Sequence, residues 1–419
     1  MRLSFDKKSR EELTTTTILF LLASSGRGMS VFEAGASFIT LFYLIAVFLI
    51  LKWVWKHPSL DMFQLKVLLW AIFAVGTSIV LGTNVNSLSV LHFCFYIIAA
   101  ISLLSVCNIS KRVIWKLSNW FIYFNLINVI IAVFLYNIGV SNIPDIFGTF
   151  FNRGVMRYMG FTTEPSYLAM ESTVCILACM VLRRYDRGNG LYNTENFKWL
   201  LVAYFMMIIL AKTSFGVFSI AIVGVFWFSY SADFSKLNNK FLISWLIGLI
   251  IVVALGICIM LFSDNIFVSR VLRVFDVLSN SGSLNEFQEK VGSVEGSTWY
   301  RFGPLFLAYQ AAKLNTLQGL LGYGIGTDAE YYTQLLASKT IIRGGFLQGG
   351  FHNHGLIGLL LFLYIVIKRV KAVGIVGIVY LLLCFTNCSI STQAFWFIVI
   401  MYVSTVQIIK REKLYGDGG

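Results

Sequence analysis

Apolar runs of about twenty residues recur along the chain, divided by short loops that carry Lys and Arg. A run of that length is what a helix needs to cross the hydrocarbon core of a bilayer, and the inside loops of membrane proteins gather the cations. Runs and charges together predict twelve spans, near 13–30, 31–51, 67–83, 88–107, 117–138, 163–182, 198–212, 214–231, 241–263, 351–367, 372–388 and 391–409. With both termini cytoplasmic, about two thirds of the 33 Lys and Arg fall inside, as the positive-inside bias requires. The first run, "LTTTTILFLLASSGRGMS", is short and polar at both ends and is read as an uncleaved helix, since no small-residue cleavage pattern is clear and eleven spans follow. Only 13% of residues are charged and 58% are hydrophobic, against about 25% charged in a soluble domain. The fold class is therefore an all-α polytopic integral membrane protein of about twelve transmembrane helices.

The net charge of +13 follows mostly from that orientation and from attraction to anionic lipid. No nucleic-acid partner is indicated, because the cations lie in short loops and form no basic domain or reader motif. The seven cysteines sit in or beside apolar runs, so they read as packing residues and not as a disulfide framework. His57, His92, His352 and His354 show no metal-ligand spacing, so neither a metal nor another cofactor is expected.

One long hydrophilic segment, 264–350, separates helices one to nine (1–263) from helices ten to twelve and the cytoplasmic tail (351–419). It contains "SRVLRVFDVL" (269–278), with Arg270 and Arg273 one helical turn apart, and "STWYRFGPLFLAYQAAKL" (297–314), an amphipathic helix led by Arg301. "GLLGYGIG" (319–326) follows as a tight loop whose glycines suit positive φ. The segment reads as a cap over the outer mouth of the bundle. Any one of its arginines alone reads equally well as the solvated face of a surface helix. Together, Arg153, Arg157, Lys212, Arg270, Arg273, Arg301 and Arg343 put an excess of cations on the outer side and favour an anion site, and the guanidinium fork suits a diphosphate.

"TTEPSYLAMES" (162–172) opens a span with Pro165 in its first turn, a helix start in which Glu164 also suits the helix dipole. Glu171 returns to that face two turns deeper, and an intramembrane carboxylate is a functional-site candidate by default, with Arg153, Arg157 or Lys212 as partner. A polar face with Glu164, Tyr167 and Glu171 lining an outward cavity accounts for both carboxylates. "GGFHNHGLIG" (349–358) closes the long segment; its histidines read as interfacial residues or as a general base.

Several motifs in order resemble the Wzy-type O-antigen polymerases, of the superfamily shared with the O-antigen ligases: "TEPSY" (163–167), "AKTSFG" (211–216), the Arg301-led helix, "GLLGYGIG", then "HN" and "GLIG". The likeness covers about residues 150–365. It implies an all-helical lipid-sugar glycosyltransferase of the bacterial inner membrane, its large loop periplasmic, joining repeat units carried on undecaprenyl diphosphate. Donor and acceptor are then both lipid-linked oligosaccharides, and a chain-length regulator and a flippase are expected companions. Carried onto this sequence, the resemblance assigns Arg301 and Arg157 to the diphosphate. Lys212 stands where the hairpin motif often has Arg. His352 matches the first residue of "HN" and is the first choice for general base. "GLIG" begins only three residues later, closer than in the family, so His354 and Glu164 stay open as alternatives.

Two other functions fit a chain of this kind. A ligase uses the same donor but transfers to lipid A-core. A lipid-linked glycan flippase or other secondary transporter also suits twelve spans, although residues 1–210 and 211–419 show no convincing repeat.

Overall fold

The computed structural model describes residues 7–24, 61–81, 109–140, 149–152, 155–162, 164–184, 194–231, 316–335, 345–390 and 392–416, with isolated positions between them. It is mostly helical. In chain order the helices are α1 (Lys7–Ser24), α2 (Met62–Leu81), α3 (Lys111–Asn137), α4 (Pro165–Arg184), α5 (Thr194–Ala211), α6 (Ser214–Ser231), α7 (Leu317–Leu321), α8 (Thr327–Leu335), α9 (Phe346–Val370), α10 (Ile375–Phe385) and α11 (Gln393–Gly416), with a 3-10 turn at Lys371–Val373. Among the described residues four segments are long and apolar enough to cross a membrane: Met62–Leu81, Lys111–Asn137, Pro165–Arg183 and Gln393–Glu412. The spans expected at 31–51, 88–107 and 241–263, and the cap helix at 297–314, lie outside the described residues or touch them only at isolated positions.

The centre of the bundle is α4, which packs against α3, α5, α6 and α11. Every residue from Leu168 to Leu182 is buried. Its sequence explains that position: Ala169, Ser172, Thr173, Cys175, Ala178 and Cys179 are small, so neighbouring backbones approach closely. Hydroxyls tie the same layer together, with Thr173 and Tyr204 2.8 Å apart and Ser219 and Tyr380 3.0 Å apart. Cys175, Cys179, Cys384 and Cys388 are buried and free, in keeping with a packing role.

Outer helices bury one apolar face and expose another. On α2, Phe63, Val67, Trp70 and Ala74 face inward, whereas Leu65, Leu69, Ile72 and Ile79 are exposed. Apolar character all round a helix, with half of it exposed, is the pattern of a lipid-facing span. At the start of α2, Asp61 Oδ1 accepts from the amides of Phe63 and Gln64 (2.8 and 2.9 Å), and Gln64 returns a bond to the Asp61 amide. That reciprocal capping box fixes where the helix begins.

Two details differ from the expected helix plan. A short antiparallel hairpin precedes α4, with β1 (Thr149–Asn152) paired to β2 (Val155–Tyr158) in the register Phe150–Arg157 and Phe151–Met156. Aromatic and β-branched residues across a ladder stabilise such a pair. In addition, α9 begins at Phe346 and not near 351, because the Phe346 amide is held by Cys388 O at 2.8 Å. It then breaks at Gly355 (φ 66°, ψ −178°), so the boundary drawn between cap and helix ten falls inside a helix.

Candidate functional site

The break in α9 builds the site. A helix that stops leaves its last carbonyls without partners of their own. Here the loop after α7 supplies them: the Tyr323 amide donates to His352 O (2.9 Å) and the Gly324 amide to Asn353 O (3.1 Å). Gly322, Gly324 and Gly326 have φ of 92°, 109° and 84°, the positive values that the sequence suggested for "GLLGYGIG". Two glycines make the contact sterically open. A Cβ at Gly322 would lie 2.2 Å from Asn353 O, and one at Gly355 would lie 2.3 Å from Leu320 O.

This contact divides the two histidines. The His352 ring lies between Tyr323 (centroids 4.7 Å apart, planes at 11°) and Tyr331 (4.4 Å, 20°), with Tyr332 tilted at 5.9 Å. His354 turns the other way, edge-on to Trp70 at 5.1 Å and beside Phe93 at 5.7 Å. It is 0% exposed and both of its ring nitrogens are buried without a hydrogen bond, whereas neither nitrogen of the 8%-exposed His352 is. Trp70 Nε1 donates to Gly358 O at 2.8 Å and locks α2 against the second half of α9.

Around His352 the polar groups are mostly paired, and one of them is a carboxylate, Asp328. The Tyr332 hydroxyl donates to Gln348 O (3.0 Å), and Gln348 Nε2 donates to Thr386 O (2.9 Å) in the turn after α10. Burial pushes the Tyr332 hydroxyl up, with Asp328 and Tyr331 adding to the shift, so it remains a donor at neutral pH. Burial raises Tyr331 in the same direction, with Tyr323 adding. Asn353 is engaged by Asp328 on both sides of its amide: Nδ2 donates to Asp328 Oδ1 (2.9 Å) and Oδ1 accepts from the Asp328 amide (3.1 Å).

The start of α4 stands near the same turn. Tyr167, half-buried, brings its hydroxyl to 3.5 Å from Asn387 O. Glu164 is the exposed residue that caps α4: its carbonyl accepts from Leu168 N at 3.1 Å, and its Oε2 accepts from Ser166 Oγ at 2.9 Å. Pro165 is thus the first helical residue, as expected. Glu171 is 0% exposed, and among the described residues neither of its carboxylate oxygens has a hydrogen-bond partner. Among the described residues its electrostatic neighbours are the thiols of Cys175, Cys384 and Cys388. Of its suggested partners, Arg157 is half-buried on β2 and Lys212 is exposed in the α5–α6 hairpin with φ 50°.

Of the residues expected at the site, Tyr167 reaches the turn after α10, to which the first half of α9, carrying His352, is tied through Phe346 and Gln348, while Glu164 caps α4, His354 lies against Trp70 and Phe93, Arg157 is on β2 and Lys212 is in the α5–α6 hairpin. Arg153, Arg270, Arg273, Arg301 and Arg343 lie outside the described residues. Sequence reasoning missed Tyr323, Tyr331, Tyr332, Asp328 and Gln348. The one signal available was "TDAEYY" shortly before "HN", which reads alone as an ordinary helix start with acids in its first turn. The chain matches no protein-family model and no curated protein.

Proposed function

We propose that the chain is a polymerase of lipid-linked oligosaccharide repeat units, of the O-antigen polymerase kind, with twelve spans, cytoplasmic termini and its long segment on the outer face of a bacterial plasma membrane. The observation that carries this reading is the meeting of "GLLGYGIG" with "HN" and "GLIG": motifs some thirty residues apart lie against each other through backbone bonds and enclose His352.

The chemistry needs a base, an activated donor and a site for the leaving group. His352 takes the proton of an acceptor hydroxyl; the freed oxygen attacks the anomeric carbon of the donor sugar. The bond from that carbon to the diphosphate breaks, and the lipid diphosphate leaves with the electron pair. Imidazole suits the first step near neutral pH. Outer-side cations, Arg157, Arg301 and Lys212 with Arg153, Arg270, Arg273 and Arg343, are assigned to the departing charge. Among the three candidates for base, geometry favours His352. His354 faces Trp70 and Phe93, and Glu164 is occupied with Ser166.

The test is deletion of the gene in its host, followed by gels of lipopolysaccharide and capsule, with complementation by wild type, His352→Ala and Arg301→Ala. A ladder that collapses to core plus one unit, restored by wild type alone, supports the polymerase and both residues; loss of the base should cost about 100-fold or more in rate. A core that receives no unit at all points to a ligase. Unchanged glycan length removes the glycosyltransferase reading and leaves the transporter.

A further inference from the structure

We propose that Asp328 and Asn353 form a positioning pair that holds His352 between its two tyrosines; this rests on the reading of His352 as the base of a polymerase. Asp328 is 4% exposed and Asn353 7%. The Asn353 amide has only one workable orientation here. Its oxygen faces the Asp328 backbone N–H and its nitrogen faces the Asp328 carboxylate, so a flip would set like against like at both contacts. A buried amide bound on one side to a carboxylate is held more firmly than by neutral bonds alone.

The pair acts on His352 through α8. Asp328, Tyr331 and Tyr332 are spaced i, i+3 and i+4 along that helix, so their side chains share one face. That face lies on α9: Asp328 grips Asn353, and Tyr331 and Tyr332 lie against the neighbouring His352 ring. The opposite wall, Tyr323, is fixed separately by its own amide on His352 O. Releasing Asp328 from Asn353 therefore leaves the Tyr331 wall tied to α9 by the Tyr332–Gln348 bond as its remaining side-chain anchor, a looser hold, and leaves the Tyr323 wall in place. The imidazole gains freedom on one side, and a base that wanders from its productive position loses rate without losing substrate.

A charge exchange tests this. N353D sets two carboxylates face to face. D328N in the same chain restores both contacts, because the new amide donates to one oxygen of the new carboxylate while the backbone N–H at 328 keeps the other. Two readouts are taken on the full-length protein in lipid nanodiscs and in the deletion strain. The first is the rate at which diethyl pyrocarbonate modifies His352, followed by peptide mass spectrometry with His57 and His92 as internal references. The second is repeat-unit transfer, with kcat and KM per folded molecule and ladder length in cells.

We expect N353D to raise His352 modification about tenfold and to lower kcat about tenfold or more at unchanged KM, and D328N/N353D to return both towards wild type. Should N353D fail to accumulate, N353S removes the amide without adding charge and must still raise His352 reactivity; wild-type reactivity in N353S overturns the pair. Equal impairment of N353D and D328N/N353D overturns it too, since then Asn353 acts without Asp328. If reactivity follows the pair while glycan length ignores all variants, H352A included, the pair stands and the polymerase reading falls.

Discussion

At the end of the bundle where the Lys and Arg gather, Arg369 reaches Asp61 at 2.9 Å, Lys111 reaches Glu412 at 3.0 Å and Lys116 reaches Glu12 at 3.9 Å. At the opposite end His352, Asn353, Gln348 and Tyr332 are held by backbone amides, carbonyls, stacked rings and one amide–carboxylate pair. The first set is half in water, with one partner in each ion pair about two-fifths exposed, and exposed pairs contribute about 0–1 kcal/mol each. The second set is buried, where an unmade bond costs about 1–3 kcal/mol. A membrane protein can thus orient its helices with weak, exposed charges at one end and fix atoms with buried hydrogen bonds at the other.

The largest effect expected on that contrast comes from Gly355→Val, which adds a branched side chain at φ +66° whose Cβ meets Leu320 O at 2.3 Å. The clasp between loop and helix should open at a cost of about 3 kcal/mol or more, read as loss of monodisperse protein on detergent gel filtration. Glu171→Leu goes the other way. It removes a buried carboxylate without a partner and should stabilise by about 1–3 kcal/mol, seen as a higher melting temperature; a rise in stability together with a fall in glycan synthesis would mean that the carboxylate is kept for function. Tyr332→Phe takes only the donor from Gln348 O and should cost about 1 kcal/mol, a drop of a few degrees in the same melt. Arg369→Ala is the smallest, at or below about 1 kcal/mol and fading as salt rises. If salt instead protects the clasp variants and leaves Arg369→Ala unchanged, the two ends have been assigned the wrong way round.

The helices at 163–182 and 214–231 were legible because hydropathy over about twenty residues is a local property. The expected 214–231 coincides with α6, and 163–182 differs from α4 by two residues at each end. The start of α9 was not, because Gly349 and Gly350 read as breakers, whereas the partner that starts the helix, Cys388 O, is remote in sequence. β1 and β2 escaped for a related reason: four residues each are too few to show a period of two above the apolar background. At the site, the positive-φ glycines of "GLLGYGIG" could be read directly, since only glycine takes that backbone freely. That His352 and His354 face opposite ways could not, because it depends on a break three residues past His352 and on Trp70, which arrives from another helix. Glu171 was correctly marked as deep, but its surroundings are thiols from α4 and from α10 and the turn after it, and no spacing rule reveals that.

The break at Gly355 also sets a thickness. The stretch from there to Val370 rises roughly 22 Å at 1.5 Å per residue, and its neighbour α10, with 11 residues, rises about 16 Å. On another side of the bundle α3, with 27 residues, rises about 40 Å. A hydrocarbon core is about 30 Å deep, so neither of these two stretches alone spans it, and lipid lying beside them would have to thin or dip to match. Under the function proposed above, a lipid-borne substrate approaching along that flank would find its head group lowered towards the level of His352, with the bilayer itself supplying part of the delivery.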